Sequence, residues 1–205
     1  MHISEGVLSA PVLAGGAGLA AVCVGIGLRK MEYRKVPEVA VLSSAFFVGS
    51  LIHVPAGPVS VHLVLNGING LLLGWAAFPS ILVALALQGV LFQFGGITTL
   101  GVNTFNMAFP AVVGYYLFSR AVRSGNRALS TAAGFGAGFF SVFMGSLLIA
   151  LTLVLTGEGF LRTAELIFAA HLPVMVIEGI ITAACVAFLR KVRPEVLDMG
   201  GRGRR

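Results

Sequence analysis

The chain has 205 residues, 57% of them apolar and only 11% charged, with a mean hydropathy of +0.96. Soluble domains carry about 25% charged residues, so the composition excludes a water-soluble globular domain and points to a polytopic membrane protein. The net charge of +6 sits in clusters between apolar runs, with no basic face or aromatic platform that would fit a nucleic acid.

Met1 and His2 stand ahead of an apolar stretch that begins at Val7. An α-amine, the amide nitrogen of residue 2 and a histidine ring at residue 2 can all grip one metal ion. The amine and amide close a five-membered chelate ring, and the amide and ring Nδ1 close a six-membered one. An all-nitrogen set of this kind suits tetragonal Ni(II), Cu(II) and Co(II). The first apolar stretch has no Lys or Arg before it, and its basic cluster (Arg29, Lys30, Arg34, Lys35) follows it. A cleavable signal has the opposite polarity, so the N-terminus is expected to be retained.

Runs of about 20 apolar residues are long enough to cross a bilayer as helices. Seven spans are expected, at roughly 7–28, 38–54, 62–77, 80–94, 100–118, 130–155 and 164–189, the third and fourth being short and flanking the loop Ala76–Ser80. This is an all-α bundle of about seven transmembrane helices. Residues 1–190 form one membrane domain, and 191–205 a basic tail expected to be disordered. With the N-terminus outside, thirteen of the fourteen Lys and Arg residues fall on the cytoplasmic side and only Arg162 outside. That asymmetry is a strong positive-inside signal, and it places the C-terminus in the cytoplasm. The pairs Gly70/Gly74 and Gly134/Gly138 have the spacing that lets membrane helices approach closely. Cys23 and Cys185 sit alone in apolar runs and read as packing residues.

Ionisable and polar groups inside spans are costly in hydrocarbon and read first as functional. The densest run is Leu51-Ile-His-Val-Pro-Ala-Gly-Pro-Val-Ser-Val-His62-Leu-Val-Leu-Asn66-Gly-Ile-Asn69. Its prolines and glycine break the helix between spans two and three, on the same side as His2. His62 is therefore a candidate fourth nitrogen for the terminal chelate, with His53 its competitor. A second cluster is Asn103-Thr-Phe-Asn106, with Gln88 and Gln93 in the preceding span. Such amides read first as packing glue between helices and second as a supporting shell, for which Asn66, Asn103, Asn106 and His53 are the candidates. The third feature is a stripe on the last span. His171 and Glu178 are two turns apart on one face, and Thr182 extends it.

No GxxxxGK[ST] occurs, so the chain has no P-loop of its own. No Ser/His/Asp signature, HExxH or dinucleotide motif appears either, and an enzyme is not expected.

The start Met1-His-Ile-Ser-Glu-Gly6 resembles that of the membrane substrate-binding (S) components of energy-coupling-factor (ECF) type cobalt and nickel ABC transporters, the CbiM/NikM family. The resemblance continues through Gly57-Pro-Val-Ser-Val-His62-Leu, Gly101-Val-Asn-Thr-Phe-Asn-Met107 and His171-Leu-Pro-Val-Met-Val-Ile-Glu178-Gly, in the family's order and over nearly the whole chain. It implies seven helices and an extracellular N-terminus folded into the bundle. It implies a metal held by the Met1 amine, the amide and ring of His2, and His62. It also implies a multi-pass protein of the cell membrane with a transmembrane coupling subunit and cytoplasmic ATP-binding subunits as partners. Many members add a small two-helix membrane component, which here would be a separate chain. The transported substrate would be Co(II) or Ni(II), with cobalamin synthesis its expected use; no permanent cofactor is implied. Two departures are Ser4, where the family commonly has Pro, and the pattern Val59-Ser-Val-His62 before the third helix. Other readings of the residues are a proton-coupled metal transporter using Glu178 and His171, a membrane enzyme or assembly factor, and a carrier for an organic substrate.

Overall fold

A computed structural model describes residues 2–51, 53–56 and 59–197, with the side chains of all but residues 53–56, 59–61 and 158. Among the described residues, seven helices of eight or more residues form the body: α1 (Ala10–Lys30), α2 (Val36–Gly49), α3 (Asn66–Leu73), α4 (Ala77–Phe92), α5 (Leu100–Val122), α6 (Arg127–Thr156) and α7 (Leu161–Val192). A small antiparallel sheet joins β1 (His2–Ile3), β2 (His53–Ala56) and β3 (Val59–His62), in the order β1-β3-β2.

Local chemistry sets several helix ends. Pro11 occupies the first turn of α1, where its missing N–H costs nothing, and Arg29 and Lys30 close the last turn against the exposed carbonyls. Asn126 caps α6, its side-chain oxygen accepting from the amides of Ala128 (2.9 Å) and Leu129 (3.2 Å). At that end the Arg190 guanidinium donates to the carbonyls of Val122, Ser124 and Gly125, tying the α5–α6 turn to α7. Of the basic tail, Pro194–Leu197 forms one helical turn whose Leu197 carbonyl accepts from Arg123 Nε at 2.9 Å, and 198–205 lie outside the described residues.

Glycines bring α3, α6 and α7 together. A Cβ at Gly67 would lie 2.5 Å from Gly138 Cα and 2.9 Å from Thr182 Oγ1, and a Cβ at Gly138 would lie 2.6 Å from the same hydroxyl. Neither position admits alanine without backbone movement. The Gly134/Gly138 pair thus serves the α6–α7 contact that its spacing suggested.

Three expected spans are corrected. The second stops at Gly49 and the third begins at Asn66, because residues 53–56 and 59–62 run as strand instead of helix. With Pro55 and Pro58 flanking a Gly, this segment cannot keep the i to i−4 ladder, and Val54, Val59 and Val61 suit extended backbone. In consequence α3 has eight residues, about 12 Å of rise against a hydrocarbon core of about 30 Å. Residues 66–92 are long and apolar enough to cross as one segment, but the contacts make them a hairpin. Gly74 turns the chain at φ +54°. Beside the turn, Trp75 lies under Lys30 at the end of α1 (4.9 Å to the ring centre) and donates to Tyr116 of α5 at 2.9 Å. The far end of α4 instead returns to Phe47 and Ser50 through Gln88. The fourth span also ends earlier than expected, at Phe92, with Gln93 as an exposed left-handed cap at φ +58°.

Candidate metal centre

Residues 2 and 3 are a strand, not a loose end. His2 and Ile3 pair with Ser60 and Val59 of β3. Asn103 of α5 then grips residue 3 at two points: its Oδ1 accepts from Ile3 N–H (2.9 Å), and its Nδ2 donates to Ile3 C=O (3.0 Å). A side-chain amide is placed here as a neighbouring strand would be, so the backbone polar groups of a buried residue are satisfied. Glu5 N–H donates to Gly95 C=O at 2.9 Å, and the Glu5 carboxylate accepts from Thr98 N–H at 3.0 Å. That amide holds the exposed Glu5 carboxyl below its usual value. Gly95 (φ +78°) makes the approach feasible: a Cβ there would sit 3.0 Å from Asn103 Nδ2 and 3.5 Å from His2 Cβ.

The sheet brings His2 against His62. Both are 3% exposed, their ring centres are 4.6 Å apart, and His62 Nε2 lies 3.0 Å from His2 Nδ1. His62 Nδ1 is 2.6 Å from the Leu63 carbonyl. A carbonyl only accepts, so the His62 proton belongs on Nδ1 and the Nε2 lone pair faces His2. Burial, reinforced by nearby positive charge, pushes the His62 pKa well below the usual imidazole value, which keeps the ring neutral and able to bind a cation. His2 Nε2 in turn lies 2.7 Å from Gln88 Oε1.

Among the described residues no group of three or more His, Cys, Asp or Glu side chains could hold a metal. Among them two imidazoles converge, those of His2 and His62. Met1 lies outside the described residues. His53 sits in β2 directly across from His62 in the pairing register, with its side chain outside the description.

The other expected site residues separate. Asn106 donates to Thr152 Oγ1 at 3.2 Å, joining α5 to α6. Asn66 is fully buried at the start of α3, and its amide finds no partner among the described residues. His171 and Glu178 share the buried face of α7. His171 Nδ1 lies 2.7 Å from its own helix carbonyl at Ile167. Glu178 Oε1 accepts from the backbone amides of Val64 and Leu65 (2.7 Å for the latter), while Oε2 has no partner among the described residues. Leu65 adopts φ +53°, so Glu178 clasps the sharp bend between His62 and α3. Two contacts escape sequence reading. Gln88 meets His2 across 86 positions, and Glu178 meets Val64 across 114.

Known proteins resemble the chain over nearly its whole length. The profile of a family described as the cobalt uptake substrate-specific transmembrane region matches residues 2–196. The chain is 44% identical to a candidate metal transport protein of Haemophilus influenzae, covering 97% of each chain. It is 36% identical to a protein of Sorangium cellulosum named cobalt transport protein CbiM, covering 97% of this chain and 95% of that one. A crystal structure described as a transition metal transporter superposes with a TM-score of 0.76 at 28% identity, covering 94% of this chain and 93% of that one.

Proposed function

The chain belongs to the family of cobalt uptake substrate-specific transmembrane regions, and from that premise we propose that it captures Co(II) or Ni(II) at its N-terminal strand and passes the ion across the cell membrane. The observation that carries this reading is the pair of buried ring nitrogens, His2 Nδ1 and His62 Nε2, 3.0 Å apart. Cis nitrogens at about 2.0 Å from a metal in a tetragonal field sit about 2.8 Å from each other, so the two rings are already spaced as neighbouring ligands. The His2 amide nitrogen and the Met1 amine complete the set as five- and six-membered chelate rings. All four donors must be free of protons at the ligating atom, so binding weakens in acid.

The N-terminal side faces outward and the basic C-terminal end faces the cytoplasm, as the Lys and Arg distribution requires. Residues 1–190 act as one transport domain, and the remainder as a basic extension. With no P-loop in the sequence, movement is driven by partners: a transmembrane coupling subunit and cytoplasmic ATP-binding subunits of an ECF-type ABC importer, joined by a separate two-helix component where one exists. The site chemistry takes either ion; family usage favours Co(II) for cobalamin synthesis.

The proton-coupled alternative places Glu178 and His171 in a relay. The clasp of Glu178 on the Val64 and Leu65 amides favours a holding role instead. Uptake reconstituted with and without the ATP-binding partners tests the choice. Uptake by the isolated chain under a proton gradient would overturn the ATP-driven reading; uptake only with hydrolysing partners supports it.

A further inference from the structure

Gln88 decides which nitrogen of His2 is offered to the cation. Its side-chain amide lies at the inner end of a closed set of hydrogen bonds. Nε2 of Gln88 reaches the Phe47 carbonyl at 3.3 Å and contacts Ser50 Oγ. A backbone carbonyl can only accept. The Ser50 hydroxyl spends its single proton on the α2 carbonyls of Phe46 (2.8 Å) and Phe47 (3.1 Å), so toward Gln88 it too can only accept. Two acceptors on one side of the amide fix the NH2 there, and a flipped amide would aim its oxygen at both. Gln88 Oε1 must then face His2 Nε2, 2.7 Å away, and it can do so only as an acceptor. All three side chains are buried, at 0% exposure for Gln88 and Ser50 and 3% for His2, so water does not relax the requirement.

We propose that Gln88 is a positioning residue that pins the His2 proton on Nε2 and so leaves Nδ1 as the metal-binding nitrogen. The choice of nitrogen matters for a terminal chelate. Nδ1 closes a six-membered ring with the residue-2 amide, whereas Nε2 points away from the backbone and cannot close it. The same pinning sets two lone pairs, His2 Nδ1 and His62 Nε2, against each other at 3.0 Å. That confrontation is unfavourable until a cation lies between them. A hydrogen-bond acceptor on the second nitrogen of a metal-binding histidine also makes the ring a better donor. The inference rests on the proposed N-terminal site and adds to it the residue that orients His2.

The test is Co(II) and Ni(II) affinity of the purified full chain, measured for wild type, Gln88→Leu, Gln88→Glu and His62→Ala. Gln88→Leu removes the acceptor and is expected to weaken binding about 10–100-fold, the effect typical of losing a partner behind a metal-binding histidine. Gln88→Glu, protonated on the oxygen that faces the Phe47 carbonyl, keeps an acceptor for Nε2–H and is expected to bind within about threefold of wild type. A residue that merely fills space would not show this split. Gln88→Leu binding like wild type, or Gln88→Glu as weak as Gln88→Leu, while His62→Ala abolishes binding, would overturn the role of Gln88 and leave the site intact. Wild type binding neither ion would overturn both.

Discussion

Around His2, buried polar side chains meet one another: ring against ring with His62, ring against amide with Gln88. Around Glu178, equally buried, the polar partners are backbone, the amides of Val64 and Leu65 on the carboxylate and the Ile167 carbonyl on His171. The first arrangement points nitrogen lone pairs at a common spot, the prerequisite for gripping a cation. The second uses a side chain to finish a hydrogen-bonding pattern that the bend at Leu65 leaves open. Ionisable groups in hydrocarbon surroundings read by default as functional; here only one of the two groups has the convergent geometry. The other supports it, because the bend held by Glu178 lies two to three residues after His62.

The sharpest way to break this contrast is to remove the ring that both halves of the centre share. His2→Ala is expected to take metal binding from one ion per chain to background and to abolish uptake at normal expression; retained uptake would rule out the terminal site. Next comes the comparison of the two histidines in the strands. His62→Ala is expected to lower affinity by at least about 100-fold, the upper end of what even indirect partners cost, and His53→Ala by much less. Calorimetric titration with Ni(II) or Co(II) ranks them, and the opposite order would make His53 the ligand.

Glu178 sharpens the other side. Glu178→Ala leaves two buried amides without an acceptor and is expected to cost about 2–4 kcal/mol of stability, read as a lowered unfolding midpoint in detergent. Glu178→Gln retains an acceptor oxygen and should recover most of that loss together with partner-driven uptake. A relay acid would behave differently: its glutamine variant would fold normally and transport nothing. The smallest effect belongs to the shared scaffold. Gly138→Ala forces a methyl against Thr182 and the α7 backbone and is expected to cost about 1–3 kcal/mol, with metal affinity of the folded fraction unchanged.

Much of this was legible in the sequence for local reasons. The contact of His2 with His62 was expected from their shared side of the bundle. The helices follow apolar run length, and the Gly134/Gly138 contact follows spacing along one face. The pairing of 53–56 with 59–62 was hidden because four-residue strands cannot be told by periodicity from buried helix; only the Pro-Ala-Gly-Pro run betrayed a break. Gln88 read as packing glue first, since no pattern along the chain links it to a residue 86 positions away. Asn103, read first as packing glue and second as a supporting residue, bonds the backbone of Ile3 and no ring. Asn106, marked alike, bonds within the bundle to Thr152. The two asparagines lie three positions apart on α5, yet one bonds β1 and the other α6.

The measurement that tests the central claim most directly is metal stoichiometry and affinity of the purified chain against a version carrying one extra residue before Met1, with Co(II) and Ni(II) offered separately. The account predicts one ion per wild-type chain and loss of tight binding in the extended form, because the added residue moves the α-amine out of the chelate while leaving His2 and His62 in place. Equal binding by both forms would contradict it, and would put the cation on side chains alone.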